Sequence, residues 1–321
     1  MATKNANLHN ARTAKNDEFY TQLYDIEKEM AHYKDFFKGK IVYCNCDDAR
    51  ESNFFKFFSN NFESLGLKRL ISTGFKENGK GVKLVYEGDK NGNFMVDDAE
   101  VVVTELEGNG DFRSEECIEL LKECDVVATN PPFSLFREFV AQLMEYGKKF
   151  IIIGNGNAVT YKEIFPLIKN NELWIGASKG IGGKFSFIVP NDYDNKFVYE
   201  ENGVRLGQVN SACWFTNINH TKRNTPLDLY KKYSADEYPK YDNYDAIEVS
   251  KVSEIPMDYD GVIGVPITFL DKYCPTQFEI VDINPHFYTL VEQGLPKPKQ
   301  LSLASYGKKD PYARILIRRK K

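Results

Sequence analysis

The segment DVVATNPPFSLF, Asp125 to Phe136, carries an apolar run into Asn130-Pro131-Pro132-Phe133 and then continues at helical spacing. Asn130 has a side-chain amide oxygen and Pro131 a backbone carbonyl, and two such acceptors can hold both hydrogens of an amine. The proline rings fix φ and remove competing N–H donors, so the carbonyl stays aimed. Phe133 offers a flat face to an aromatic base, a stack worth roughly 1–3 kcal/mol. The chemistry these residues suit is the activation of a poor nucleophile. An exocyclic amine such as adenine's has its lone pair delocalised into the ring, and acceptors on its hydrogens localise that pair as attack begins. Preorganised acceptors facing a developing positive charge are a form of electrostatic catalysis. Asn-Pro also initiates ordinary turns, so the tetrapeptide alone equally fits a proline turn after a strand. Its context favours a site: a buried strand before it, a helix after it, and an alternating chain around it.

That alternation defines the scaffold. Leu23, Ile26, Met30, Tyr33 and Phe37 fall at helical spacing within Gln22 to Phe37, and Gly39 stops the helix. IVYCNC reads as a strand, Phe54 to Phe62 as a phenylalanine-rich helix ended by Gly66, and LKRLIST as a second strand. Residues 74–104 are rich in Gly, Asn and Lys and predict a hairpin insertion, VKLVYEG and NFMVDD flanking a turn at Gly88 to Gly92. Beyond it come a helix over 115–122, the strand DVVAT, a helix over 135–146, the strand KKFIIIGN, a helix over 161–169 and the strand ELWIGAS. KFSFIVP and ACWFTNI are expected to add later strands, one an antiparallel edge. The pattern predicts an α/β fold, a doubly wound, mostly parallel sheet of Rossmann-like type, whose ligands bind at the carboxyl ends of the strands. Residues 1–220 form the expected catalytic domain. Residues 221–321, where the rhythm breaks, form a smaller region with a basic C-terminus.

Composition narrows the class. The 321 residues carry a net charge of −4, and no apolar run is long enough to span a membrane. The N-terminus shows no apolar signal segment, so the cytoplasm is the expected location. The cysteines, Cys44, Cys46, Cys117, Cys124, Cys213 and Cys274, form no CxxC pair, so neither a metal site nor a disulfide framework is expected. Positive charge concentrates at the ends: Lys4, Arg12 and Lys15 at the start, and Lys297, Lys299, Lys308, Lys309, Arg314, Arg318, Arg319, Lys320 and Lys321 at the finish. Basic ends on an acidic body suit local phosphate contact, and a solvated tail is the equally weighted alternative.

DEFYTQ, VYCNCDD, GDFRS, TNPPFSLF, YPKYDNYDAI, GVIGVPITFL and RILI together resemble the EcoRI-type adenine-specific DNA methyltransferases over nearly the whole chain. The resemblance implies a monomeric enzyme that uses S-adenosyl-L-methionine and flips its target adenine out of double-stranded DNA, with GAATTC as the target. A cognate restriction endonuclease can accompany it without contact. Asn130, Pro131, Pro132 and Phe133 take the catalytic place, with Asn130 also at the cofactor. Tyr20 and Thr21 fall at the cofactor's methionine end, Cys44, Asn45, Cys46 and Asp47 along its pocket, and Asp111 and Phe112 against its adenine. Lys240, Arg314, Arg318 and Arg319 are the candidate DNA contacts. The order, DEFYT before the tetrapeptide and recognition segment last, looks like the gamma arrangement of amino-methyltransferases.

Two departures stand out. Cys-Asn-Cys-Asp-Asp replaces the glycine-rich turn usual after the first strand, and LKRLISTGF ends without the acid that would hold ribose hydroxyls, leaving Asp47 or Asp48 for that task. Either cysteine of the loop also fits a small core residue. Trp214, Phe185 and Phe187 are candidates for a second wall of a base pocket or for plain core. The tetrapeptide also serves protein glutamine and cytosine-amine methyltransferases, and a non-catalytic DNA-binding relative is the rival from another class. A nicotinamide dehydrogenase lacks its GxGxxG here.

Overall fold

In the computed structural model, residues 20–46, 48–93, 95–189, 197–210, 212–303, 308–309 and 312–320 are described. Asp47 and the basic N-terminal residues Lys4, Arg12 and Lys15 lie outside them, as does the side chain of Tyr20. The chain divides into two compact units, residues 1–155 with 182–219, and residues 156–181 with 220–321.

In the first unit, β1 (Tyr20–Thr21) leads into α1 (Leu23–Met30), which tightens into a 3-10 turn and buries Ile26, Met30, Tyr33 and Phe37 before Gly39 turns the chain at φ +72°. The all-buried β2 (Ile41–Cys44) follows. Ser52 accepts a hydrogen bond from the Phe54 N–H at 3.2 Å and opens α2 (Asn53–Asn60). The short α3 (Phe62–Leu65) closes on Gly66 at φ +62°. Eight residues are too few for a helix stable by itself. What holds α2 is burial of Phe54, Phe55, Phe57 and Phe58, each worth about 1.5–3 kcal/mol. Then come β3 (Arg69–Gly74), β4 (Val82–Tyr86), β5 (Val101–Glu105), α4 (Glu115–Glu123), β6 (Val126–Thr129), α5 (Phe136–Glu145) and β7 (Lys149–Asn155).

Seven strands of this unit lie in the order β5-β4-β3-β2-β6-β7-β12, the last being β12 (Ala212–Thr216). The four central strands β3, β2, β6 and β7 are mutually parallel. β4 and β5 extend one side antiparallel, and β12 pairs antiparallel with β7. The sheet is therefore mixed. The expected hairpin over 74–104 is built differently: β4 pairs with VVVTE, not with NFMVDD, and both strands continue the main sheet. A second correction concerns KFSFIVP. As β9 (Lys184–Ile188) it joins β1, β10 (Val198–Glu201) and β11 (Val204–Asn210) in an antiparallel sheet of order β1-β9-β11-β10.

The second unit holds α6 (Phe165–Lys169), β8 (Trp174–Ile175), β13 (Ala246–Glu248), β14 (Val262–Pro266), β15 (Phe278–Asn284), α7 (Tyr288–Glu292), β16 (Ser302–Leu303), β17 (Lys308–Lys309) and β18 (Arg314–Arg319). Its main sheet runs β13-β14-β18-β15. The basic run RILIRR is thus an interior strand, with Ile315, Leu316 and Ile317 fully buried. Among the described residues no helix is long and apolar enough to cross a membrane, and no His/Cys/Asp/Glu group is placed to hold a metal.

Candidate active site

The chain goes from β2 to β3 on one side and later returns to β6 on the other, so the sheet's order reverses between β2 and β6. Open α/β sheets bind ligands at such a point, beyond the carboxyl ends of the strands. The residues leaving β2 and β6 there are Asn45 and Asn130.

Asn130 is 9% exposed, Pro131 is buried, and Pro132 and Phe133 are half-buried. A short 3-10 turn over Phe133–Leu135 follows, closed by the Leu135 N–H donating to the Pro132 carbonyl at 2.9 Å. α5 then locks the turn in place. Its first residue, Phe136, lies over Gly154 of β7, where an added Cβ would come within 2.4 Å of the ring. The same ring packs on Phe215 of β12 at 4.9 Å. Phe133 rests on the core cluster that contains Phe54, Phe185, Phe187 and Trp214. The last three are fully buried, Phe185 stacking on Phe187 at 5.6 Å and meeting Trp214 edge-on at 5.8 Å. They take the core reading of the two left open by their sequence.

The loop after β2 is shaped by local bonds. Cys44 is a buried strand residue, whereas Cys46 is half-buried and turns the chain at φ +67°, where a glycine would be unstrained. Asp48 accepts from the Arg50 and Glu51 N–H groups, each at 2.9 Å, and so shapes the turn into α2. At the start of α2, the Asn53 side chain donates to the Thr21 carbonyl at 2.7 Å and ties β1 to this end of the helix. Two buried acceptors here, Asn45 Oδ1 and Thr21 Oγ1, have no hydrogen-bond partner among the described residues. A bound group rich in N–H and O–H donors fits such a setting.

The GDFRS turn packs at the end of β3. An added Cβ at Gly110 would stand 2.4 Å from the Gly74 carbonyl, and the Lys76 N–H donates to Asn109 O at 2.9 Å. Asp111 accepts from Arg113 Nη2 at 2.6 Å and Nε at 2.8 Å, and these bonds hold its carboxyl below the usual range. Phe112 does not present an open ring. It is 5% exposed, set edge-on against Phe139 of α5 at 5.1 Å, with the Arg113 guanidinium 5.3 Å from its centroid. Gly74, Cys44 and Thr129 end the adjacent strands β3, β2 and β6, and the Gly110 turn that carries Asp111 packs against the first of these ends. A cleft of about 430 Å³ beside Arg50, Phe55, Leu84 and Val101 contains none of the nominated residues. Sequence reading missed Asn53 and Thr129 as parts of this end of the sheet. The only signal for either is its place, one just after the loop and one just before the tetrapeptide.

The basic candidates divide. Lys240 is exposed, its ammonium 3.5 Å from Asp245. Arg318 pairs with Glu279 at 2.8 Å on the surface, and Arg319 donates to the Met257 carbonyl. Arg314 is 9% exposed and grips Glu248 through Nη2 at 2.8 Å and Nε at 3.1 Å, with Tyr241 donating to the same carboxylate. An exposed basic tail does not describe it, because a buried guanidinium persists where a carboxylate neutralises it. Tyr238 and Tyr241 in YPKYDNYDAI are likewise buried.

A sheet with a parallel core thus carries Asn130-Pro131-Pro132-Phe133 at its switch point. The family described as "Adenine-specific methyltransferase EcoRI" matches residues 7–320, and the chain belongs to it. It is 48% identical to Type II methyltransferase M.EcoRI of Escherichia coli, covering 98% of this chain and 96% of that one. It is 40% identical to Type II methyltransferase M.MpnI of Mycoplasma pneumoniae, covering 98% of each. With Type II methyltransferase M.MgeORF184P of Mycoplasma genitalium the identity is 39%, over 97% of this chain and 98% of that one.

Proposed function

We propose that this site-specific adenine DNA methyltransferase uses S-adenosylmethionine to methylate the exocyclic N6 amine of an adenine flipped from duplex DNA, with Asn130 acting on that amine. The observation that carries the reading is the seat of Asn130, buried at the switch-point end of β6 beside the loop that leaves β2. When bound, the cofactor supplies an electrophilic methyl carbon. Tyr20, Thr21, Asn45 and the flanking Cys44, Cys46 and Asp47 hold it, with Asp111 and the seated Phe112 at the β3 end. The Asn130 side-chain oxygen and the Pro131 carbonyl accept the two amine hydrogens and concentrate the lone pair on nitrogen. Flipping costs a few kcal/mol of unstacking. Stacking on Phe133 returns roughly 1–3 kcal/mol of it. Lys240, Arg318 and Arg319 contact the DNA backbone from the second unit, which serves as the target-recognition region. The enzyme works as a monomer on cytoplasmic DNA.

Incubating the protein with duplex DNA and S-adenosylmethionine, then digesting the product to nucleosides, tests the reaction. N6-methyldeoxyadenosine is the expected product. Methyl groups on the cytosine amine, or none on DNA and methylation of glutamine in a protein substrate, would overturn it.

A further inference from the structure

The parallel ladder between β2 and β6 pairs Val42 with Val126 and Tyr43 with Val127. Just beyond it, at the switch point, the two strands are joined by a side chain: the Thr129 hydroxyl donates to the carbonyl of Asn45. Thr129 is fully buried and immediately precedes Asn130. Asn45 is itself 3% exposed, and its Oδ1 has no hydrogen-bond partner among the described residues. One bond therefore connects the peptide that aims a buried, unmatched acceptor with the residue that anchors the tetrapeptide.

We infer that Thr129 is a positioning residue, whose hydroxyl couples the loop after β2 to the Asn130 loop so that ligand held by one is registered against the amine held by the other. The inference rests on the function proposed above. The physical argument is that a buried carbonyl deprived of its donor must find another partner, at the expense of the loop's conformation. In-line transfer is sensitive to misplacement of about 1 Å.

The test compares Thr129→Val, which keeps the shape and removes the hydroxyl, with Thr129→Ser, which keeps the hydroxyl and removes the methyl. S-adenosylmethionine affinity is measured by equilibrium binding, and methyl transfer to duplex DNA under single turnover. Thr129→Val is expected to weaken cofactor binding about tenfold and slow the bound-state transfer step at least tenfold, while Thr129→Ser stays within about threefold of the parent in both. If the valine variant does not fold, Thr129→Ala against Thr129→Ser makes the same hydroxyl comparison. Valine and serine variants that both match the parent would overturn the inference, as would a serine variant as impaired as the valine one. Asn130→Ala run alongside separates the two claims. If it transfers methyl normally, the proposed function fails. If it is inactive while Thr129→Val is normal, only the coupling fails.

Discussion

In the first unit, Asn45 at the carboxyl end of β2 and Thr21 of β1 keep buried oxygens without a hydrogen-bond partner among the described residues, whereas on β18 of the second unit Arg314 and Arg318 are each held by a carboxylate. A buried polar atom left unsatisfied costs about 1–3 kcal/mol, so it is retained where a ligand completes it. A buried guanidinium is retained only when the fold neutralises it. Under the function proposed above the polar residues of the first region face the cofactor, while Arg314 in the second is an internal strut.

Breaking that strut should give the largest effect. Arg314→Ala leaves the Glu248 carboxylate buried without its cation, a loss of about 3–5 kcal/mol of stability. Replacing both partners, Arg314→Met with Glu248→Leu, should restore most of it. Denaturant unfolding of the three proteins measures this. An Arg314→Ala protein of parental stability but weakened DNA affinity would instead make Arg314 a phosphate contact and erase the contrast.

The opposite outcome is expected at the sheet edge. Asn130→Ala should leave stability and cofactor binding nearly unchanged, the latter within about tenfold, and lower single-turnover methyl transfer by about 10²–10³. A near-parental rate would remove Asn130 from the chemistry. Together the two substitutions assign one residue to the fold and the other to the reaction.

The same contrast explains what could be read in the sequence. The setting of the tetrapeptide is legible, a buried strand before it and a helix after it, and β2, α2, β3, β6, α5 and β7 all appear where periodicity and the stops at Gly39 and Gly66 put them. A strand's sequence does not name its partner, so KFSFIVP, buried at Phe185 and Phe187, reads as a strand of the main sheet although it pairs with β1 and β11. By its arginines RILIRR reads as a basic tail. Its Ile315–Ile317 core is the signal of an interior strand, and the partner that neutralises Arg314 lies 66 residues away, where local pattern cannot see it. The hairpin's second strand is the β-branched run VVVTE and not NFMVDD, whose Asn and Asp residues suit a turn better than a strand.

A smaller effect sharpens the DNA side. Arg318→Gln with Arg319→Gln removes two charges near the surface that already have protein partners. If both also neutralise phosphates, the log–log salt slope of DNA binding flattens by about 1.8, at about 0.9 per phosphate. Target and scrambled duplexes should weaken alike, because backbone contacts position the protein without reading sequence. An unchanged slope across several salt concentrations would confine these arginines to the role of Arg314.

The smallest effect concerns Cys46, which sits at φ +67° in the loop where related sheets use glycine. The left-handed conformation costs a residue with a Cβ about 1–2 kcal/mol. Glycine relieves that cost but raises the entropy of the unfolded chain by about 0.4–1 kcal/mol. The Cys46→Gly protein should therefore be as stable as the parent or more stable by about 0.5 kcal/mol, with cofactor binding retained, because Cys46 serves the cofactor pocket through the turn of its backbone and not through its thiol. Thermal unfolding and equilibrium binding of S-adenosylmethionine check both halves. Parental stability with a large loss of cofactor affinity would mean that the Cys46 side chain itself contacts the ligand. It would then join Asn45 and Thr21 as a proposed side-chain contact of the cofactor.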